Sequence, residues 1–268
     1  MTLADFSGKC VLVTGGTMGI GLATALAFGK RGAQCTLTYR FGSASEEDVL
    51  RQFADAGAPA PVFVQADAAD AADTFVLLDT IRARHDHIEV LVSNVSAALV
   101  VNELADYSRK GLQQSIDFSA WPMVSYLTGI KERFGRYPRY ALGMSSSGPD
   151  QYAKSYDFVA ASKAVMETLV RYLSYRLYDE DIRINVIRSR SVKTESLRST
   201  FGSEFEEFAK KFTRESHFVP AEEVANAAVA LCSGLLDGFR GQVLTVDRGT
   251  GFFDNFMRLY NEREELGL

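Results

Sequence analysis

The sequence predicts an α/β fold built on one parallel sheet, and three observations carry that prediction. Short apolar, β-branched runs alternate with longer helix-like stretches, as they do where each strand is followed by a helix that covers the sheet. The 268 residues are within what one hydrophobic core supports. Neither an internal repeat nor a Pro/Gly/Ser-rich linker divides the chain. We therefore expect a single domain over residues 1–268, with a doubly wound, Rossmann-type sheet of seven strands.

The predicted strands and helices alternate along the chain. β-branched and aromatic residues favour seven strands, which are Cys10–Thr14, Gln34–Tyr39, Pro61–Ala66, Ile88–Ser93, Arg139–Ser145, Ile182–Ile187 and Gln242–Val246. The stretches between them are the predicted helices, at 19–31, 45–56, 70–85, 103–134, 155–179 and 221–233.

Two segments break the alternation. Residues 188–219 are rich in charge and phenylalanine, and the spacing of Phe205, Phe208 and Phe212 places three rings on one helix face. We expect a helical lid over the substrate, and the alternative is a helix packed on the core. The tail 252–268 is aromatic and then charged, and it is either a subunit contact or frayed.

Composition and charge exclude several classes of protein. The chain is 47% apolar and 24% charged, close to the globular average, so it is not disordered, collagenous or a coiled coil. Its 29 basic and 34 acidic residues give a net charge of −5, which is unsuited to nucleic acid. No apolar run approaches the ~20 residues of a membrane span. The three cysteines suit a cytoplasmic protein, and the sparse histidines predict no metal site.

A glycine-rich loop follows the first predicted strand directly. The loop 15–21 reads Gly-Gly-Thr-Met-Gly-Ile-Gly, and a helix follows it. Glycines let the backbone approach a pyrophosphate, and a helix N-terminus supplies free N–H groups and the positive end of a dipole. Strand, loop and helix in this order are typical of dinucleotide binding. The residues expected at the cofactor are Gly15, Thr17, Gly19, Ile20 and Gly21.

The end of the second strand distinguishes the two nicotinamide cofactors. A site for NAD usually has an acidic residue here, which binds the ribose 2′-hydroxyl. No Asp or Glu occurs between Leu37 and Ser45, whereas Arg40 offers a cation for a 2′-phosphate. We therefore predict NADPH as the cofactor. Asp67, just after the third strand, either meets the adenine or caps the next helix.

The loop, the strand–helix order and a Ser/Tyr/Lys group resemble the short-chain dehydrogenase/reductase family over nearly the whole chain. The resemblance implies a nicotinamide-dependent oxidoreductase that forms a homodimer or homotetramer. It implies that Lys163 holds the nicotinamide ribose and that Ser146, seventeen residues earlier, stands at the position of the catalytic serine. The alternative is that the serines 145–147 only make polar contacts in a turn. It also implies that the cofactor contacts Asn94 after the fourth strand, and Val192 and Thr194 after the sixth.

The tyrosine of this group is displaced. The family has a tyrosine four residues before the lysine, where this chain has Val159, whereas Tyr156 stands seven residues before Lys163. Seven residues are nearly two turns of a helix, so both side chains share a face. The tyrosine then lies roughly 4.5 Å further along the axis than usual, at 1.5 Å per residue. We predict that Tyr156 is catalytic and that the Lys163 cation lowers its pKa.

The displacement favours conjugate reduction. When an α,β-unsaturated thioester is reduced, the oxygen that gains charge is two bonds further away than in a ketone from the carbon that receives hydride. A hydroxyl further along the helix suits that geometry and stabilises an enolate. The Tyr-x6-Lys spacing resembles type III bacterial enoyl-acyl-carrier-protein reductases and related enoyl-CoA reductases. The resemblance implies an acyl thioester of coenzyme A or a carrier protein, in fatty acid, polyketide or other secondary metabolism.

Departures from the family pattern leave other functions open. Asp117 replaces the asparagine of the fourth helix, and Ser189-Arg190 replaces the usual Pro-Gly. A ketoreductase with an offset tyrosine and a catalytically idle NADPH-binding protein are therefore the alternatives. A basic cluster near the expected entrance either attracts the phosphates of the carrier or is solvated surface, and it comprises Arg188, Arg190, Lys193 and Arg198.

Overall fold

The strands form one parallel sheet, as predicted. The structure is a computed structural model that describes residues 4–41, 44–96, 99–194, 197, 202 and 204–268, apart from the side chain of Glu206. Its strands are β1 (Cys10–Val13), β2 (Gln34–Tyr39), β3 (Val62–Gln65), β4 (Val90–Ser93), β5 (Tyr140–Ser146), β6 (Arg183–Ser189) and β7 (Val243–Val246). Their order is β3-β2-β1-β4-β5-β6-β7. Because the order reverses between β1 and β4, a crevice opens at the carboxyl ends of these two strands.

Helices cover both faces of the sheet. They are α1 (Gly19–Gly29), α2 (Glu46–Asp55), α3 (Ala71–Arg82), α4 (Arg109–Ser119), α5 (Trp121–Phe134), α6 (Asp157–Arg176), α7 (Glu204–Lys210), α8 (Ala221–Leu231), α9 (Asn255–Asn261) and α10 (Arg263–Leu266). One apolar cluster includes Phe28 and Val224, and another includes Leu78, Met123 and Val170. In the described part of the chain, no helix combines the length and the apolar character of a membrane span.

The prediction of one continuous helix over 103–134 is wrong. A short 3₁₀ turn at Leu104–Asp106 comes first, and the rest divides into α4 and α5 at Ala120. Pro122, at the second position of α5, causes this break, because it has no N–H to donate and its ring collides with the carbonyl four residues earlier. Proline is tolerated in a first helical turn, so a new helix begins there.

The segment 188–219 is less helical than its phenylalanine spacing predicts. Helix α7 ends at Lys210, so Phe212 lies beyond it, although the rings of Phe208 and Phe212 still meet at 4.8 Å. An isolated bridge between Val192 and Val219 closes the base of the segment. Phe201, which belongs to this segment, is outside the described residues. The lid itself stays a prediction.

The tail 252–268 is folded rather than frayed. It forms helices α9 and α10, and Arg258 Nη2 donates to the carbonyl of Phe212 at 2.8 Å. The ring of Phe253 meets His217 edge to face at 5.2 Å. The tail therefore lies against residues 212–217, and it ties the C-terminus to the predicted lid segment.

Candidate active site

A cleft of about 560 Å³ opens at the carboxyl ends of the strands. It is placed where ligands bind in open α/β sheets. Most of the residues predicted from the sequence line it, namely Gly15, Thr17, Gly19, Ile20, Arg40, Asp67, Asn94, Ser146, Tyr156, Lys163, Val192 and Thr194. Gly21 is not among the described residues that line it.

The glycine loop, or cradle, packs so closely against its neighbours that a side chain would not fit at Gly16 or Gly21. Gly15 and Gly19 adopt φ angles of +61° and +56°, in the left-handed region that favours glycine. A Cβ on Gly21 would lie 2.2 Å from the carbonyl oxygen of Gly15. The absence of a side chain at Gly21 therefore lets α1 pack closely against the loop.

Asn94 fastens the loop to the end of β4. Its side-chain amide donates to the carbonyl oxygens of Thr14 at 3.1 Å and Gly15 at 3.0 Å. Its backbone N–H donates to Thr14 Oγ1 at 2.9 Å. The donors of this amide are occupied by the loop, so Asn94 positions the cofactor cradle, and it lines the cleft as it does so.

Arg40 and Asp67 form an ion pair at one end of the cleft. The Nε of Arg40 lies 3.0 Å from Oδ2 of Asp67, and the arginine side chain is half-exposed. The guanidinium also stacks on the rings of Phe41 at 4.9 Å and Phe118 at 4.8 Å. Helix α3 is capped by Asp70, so the alternative role of Asp67 as its cap is wrong. These contacts hold the guanidinium beside the end of the second strand.

Tyr156 stands at the N-cap of α6, one residue before the helix begins. Its carbonyl accepts the first helical bond, from Ala160 N at 2.8 Å. The preceding residue, Ser155, has a φ of +63°, which is strained for a serine, and its Oγ donates to Asn102 Oδ1 at 3.0 Å. The ring packs on Gly148, where a Cβ would come within 2.8 Å of it. The tyrosine is thus positioned by a loop as well as by the helix.

Burial is the main cause of the shift in the pKa of the Tyr156 phenol. It raises the pKa of Tyr156 above its ordinary value, and a hydrogen bond with Ser146 lowers it in part. The prediction that Lys163 lowers the pKa of Tyr156 below that value is therefore wrong. The phenol keeps its proton at neutral pH, so it is a hydrogen-bond donor, and Ser146 is its partner at the end of β5.

Lys163 is buried and lines the same cleft as Tyr156. Its Nζ donates to the carbonyl of Met144 at 2.7 Å, and its side chain lines the cleft. Burial lowers the pKa of Lys163 to about 8, against the opposing effect of the Glu167 carboxylate. The ammonium is still largely charged at pH 7. Val159, at the usual tyrosine position, is buried and lines the cleft without a proton to give.

Asp117, Arg188 and Lys193 are not among the described residues that line the cleft, whereas Arg190 lines it. Asp117 accepts a hydrogen bond from Gln113 Nε2 at 2.8 Å, and it is not among the described lining residues. Arg188 is not an entrance cation for phosphates, because it is paired with the buried carboxylate of Glu167. The Nζ of Lys193 lies 2.5 Å from Oε1 of Glu215. Arg190 Nη1 donates to the carbonyl of Thr250 at 2.9 Å, and Arg198 is outside the described residues.

Two charged residues near the site were missed by the sequence analysis. Glu167 is four residues after Lys163, so it follows the lysine by one turn on the same helix face. The sequence could have revealed Glu167, because a carboxylate on a helix face that is predicted to be buried is rare unless it is paired. Asp150, in the loop between β5 and α6, carried no such signal, because a charged residue in a loop is ordinary.

The parallel sheet, the glycine cradle and the Ser146/Tyr156/Lys163 group that lines the cleft define an oxidoreductase that binds a nicotinamide cofactor. The chain belongs to the short-chain dehydrogenase/reductase family, since the family model described as enoyl-(acyl carrier protein) reductase matches residues 15–251. That match includes the whole of the cleft described above.

Relatives with different activities match the chain. The chain is 25% identical over 267 residues to an NADH-dependent enoyl-acyl-carrier-protein reductase of Aquifex aeolicus. The match covers 97% of this chain and 96% of that protein. It is also 25% identical over 245 residues to the 7α-hydroxysteroid dehydrogenase of Escherichia coli, at 90% and 94% coverage. A solved 7α-hydroxysteroid dehydrogenase with NADH matches the fold with a TM-score of 0.80 at 22% identity, over 92% of this chain and 96% of that one.

Proposed function

We propose that this chain catalyses the NADPH-dependent reduction of the carbon–carbon double bond of an enoyl thioester. The observation that carries the proposal is the placement of Tyr156 seven residues before Lys163, with Val159 at the usual tyrosine position and all three lining one cleft. The match to the family model described as enoyl-(acyl carrier protein) reductase supports it. The carrier is coenzyme A or an acyl carrier protein.

The residues present fit a nicotinamide cofactor. The glycine-rich loop leads into the N-terminus of α1, where free N–H groups would hold a pyrophosphate, and Arg40 would offer donors for a 2′-phosphate. Lys163 is placed to hold the ribose hydroxyls, and Thr194 borders the cradle beside Gly19. When bound and reduced, the cofactor would supply a hydride to the β-carbon, and a proton from solvent or a side chain would complete the reduction at the α-carbon.

The chain's own part in the reaction is to stabilise the charge that develops on the thioester oxygen. The phenol of Tyr156 is protonated at neutral pH and donates to that oxygen as the enolate forms. Ser146 bonds to the phenol and restrains its direction. A donor held in place by Gly148, Ser155 and the helix end needs little reorganisation at the moment of reaction.

A steady-state assay with matched substrates tests the proposal. We expect the protein to oxidise NADPH with an enoyl thioester at a kcat/KM at least about tenfold above that with the 3-oxoacyl thioester of the same chain length. The 7α-hydroxysteroid dehydrogenase relatives favour a carbonyl substrate as the second candidate. A preference for the 3-oxoacyl thioester would replace the proposal with that one, and tight NADPH binding without turnover would indicate an idle binder.

Removal of the Arg40 cation tests the choice of cofactor. We expect Arg40→Ala to raise the Kd of NADPH by roughly tenfold to a hundredfold, because a hydrogen bond to a charged group contributes about 1.5–3 kcal/mol. The Kd of NADH is the internal control and should change less than about threefold, since NADH lacks the 2′-phosphate. Isothermal titration of both cofactors measures this. An equal loss for both would mean that Arg40 supports the cleft only through Asp67.

The buried ammonium of Lys163 predicts a pH dependence of cofactor binding. Its pKa is about 8, so the amine is charged below that pH and neutral above it. A charged donor binds ribose hydroxyls more strongly than a neutral one, so the affinity for NADPH should fall about fivefold between pH 7 and 9.5. Fluorescence titration across this range measures the Kd. Lys163→Met is the control, and the same slope in that variant would contradict the assignment.

A further inference from the structure

A buried ion pair joins α6, the helix that carries Lys163, to β6. Glu167 in α6 and Arg188 in β6 have side chains that are 4% and 13% exposed. The guanidinium donates to both carboxylate oxygens, from Nε to Oε1 at 3.1 Å and from Nη2 to Oε2 at 2.7 Å. Ser145 Oγ also donates to Oε1, at 2.6 Å. The buried carboxylate is therefore compensated by charge and by hydrogen bonds.

The remaining arm of Arg188 reaches the loop that leads to Tyr156. Its Nη1 donates to Asp150, whose side chain is 64% exposed. Asp150 lies in the loop 147–155, where the N–H groups of Asp150 and Gln151 both donate to the carbonyl of Ser147 at 3.0 Å. A guanidinium is a planar fork with five donors, so one side chain joins β6, α6 and this loop.

The partners of Arg188 adjoin the catalytic group. Ser145 is opposite Arg188 in the pairing of β5 with β6, and it precedes Ser146. Glu167 follows Lys163 by one helical turn. A buried ion pair is weak evidence for a stabilising role, since well-packed apolar residues of similar volume often stabilise a fold as well. Its placement therefore points to a role in geometry.

We propose that Arg188 is a positioning residue for the reaction proposed above: through Asp150 it holds the loop 147–155 so that the Tyr156 hydroxyl meets the thioester oxygen. Glu167 anchors the other side of the guanidinium on the helix that carries Lys163. The inference rests on the proposed function for its catalytic consequence. The restraint on the loop itself follows from the Asp150–Arg188 contact alone.

The variant Asp150→Asn tests this, because it weakens the arm to the loop and leaves the buried pair in place. The matched control is Asp181→Asn, two residues before β6, since Asp181 is 71% exposed and pairs with Arg183, which is 13% exposed like Arg188. We expect kcat for the enoyl thioester to fall about tenfold in Asp150→Asn and to stay unchanged in Asp181→Asn, because a small misplacement of a catalytic group is costly. The KM of NADPH should stay within about twofold, and Asp150→Glu should recover most of kcat.

Hydrogen–deuterium exchange of the cofactor-free protein gives a second readout. We expect the amides of residues 148–156 to exchange faster in Asp150→Asn than in the wild type or in Asp181→Asn. If the wild type reduces the thioester and the two Asn variants have equal kcat, the positioning role is overturned and the proposed function stands. If the wild type reduces no enoyl thioester, the proposed function fails, and exchange alone decides: faster exchange supports the restraint on the loop, and unchanged exchange overturns it.

Discussion

Tyr156→Phe should lower kcat by about a hundredfold to a thousandfold, which is the effect of removing one donor to a developing oxyanion. The ring remains, so its packing on Gly148 is kept and only the hydroxyl is lost. The Kd of NADPH should change less than about twofold, because Tyr156 is assigned to the substrate oxygen. Stopped-flow and steady-state measurements of NADPH oxidation separate the two quantities.

A matched control lies in the same loop. Tyr152 is 89% exposed, and Tyr152→Phe removes a hydroxyl from a tyrosine that does not line the cleft among the described residues. We expect wild-type kcat in that variant. Full activity of Tyr156→Phe would remove the hydroxyl from the mechanism, and an equal loss in both variants would point to the loop rather than to the phenol.

Gly21→Ala should have the largest effect on cofactor binding. Its Cβ would lie 2.2 Å from the Gly15 carbonyl and 2.6 Å from the Asn94 amide, and a backbone oxygen has no flexible end that can move aside. The cradle must shift, so we expect the Kd of NADPH to rise about a hundredfold, or about 3 kcal/mol. Circular dichroism and thermal melting establish that the variant is folded before titration.

Gly238→Ala is the control for this change. Gly238 has open space around it and an ordinary φ, so a Cβ there should leave both the melting temperature and the Kd near their wild-type values. An NADPH affinity in Gly21→Ala that matches Gly238→Ala would contradict the assignment of residues 15–21 as the cofactor cradle. A variant that loses the melting transition altogether would show that Gly21 is also needed for the packing of α1.

Local patterns were sufficient to predict the sheet and the cofactor cradle. The run Gln34–Tyr39 is a strand with the bounds predicted, because it is apolar, β-branched and limited by a turn on each side. Right-handed crossovers then determine which strands are neighbours. The break at Ala120 was also encoded locally, by Pro122, but continuous apolar spacing on both sides concealed it.

Contacts between distant residues were not predictable in the same way. The Arg188–Glu167 pair joins a strand to a helix, and the Arg40–Asp67 pair joins two strand ends; each depends on packing that no local pattern specifies. The spacing of Tyr156 and Lys163 was readable, yet the left-handed Ser155 that turns the chain into the helix was not. Burial, which raises the pKa of Tyr156, likewise appears only when the chain has folded.

A competition between two thioesters is the most direct test of conjugate reduction. The wild-type protein is given NADPH labelled with deuterium at C4 and equal amounts of an enoyl thioester and a 3-oxoacyl thioester of one chain length, and mass spectrometry identifies the products. The placement of Tyr156 predicts the saturated acyl thioester, with deuterium on the β-carbon. A labelled 3-hydroxyacyl thioester as the main product would contradict it, and would assign the displaced tyrosine to carbonyl reduction.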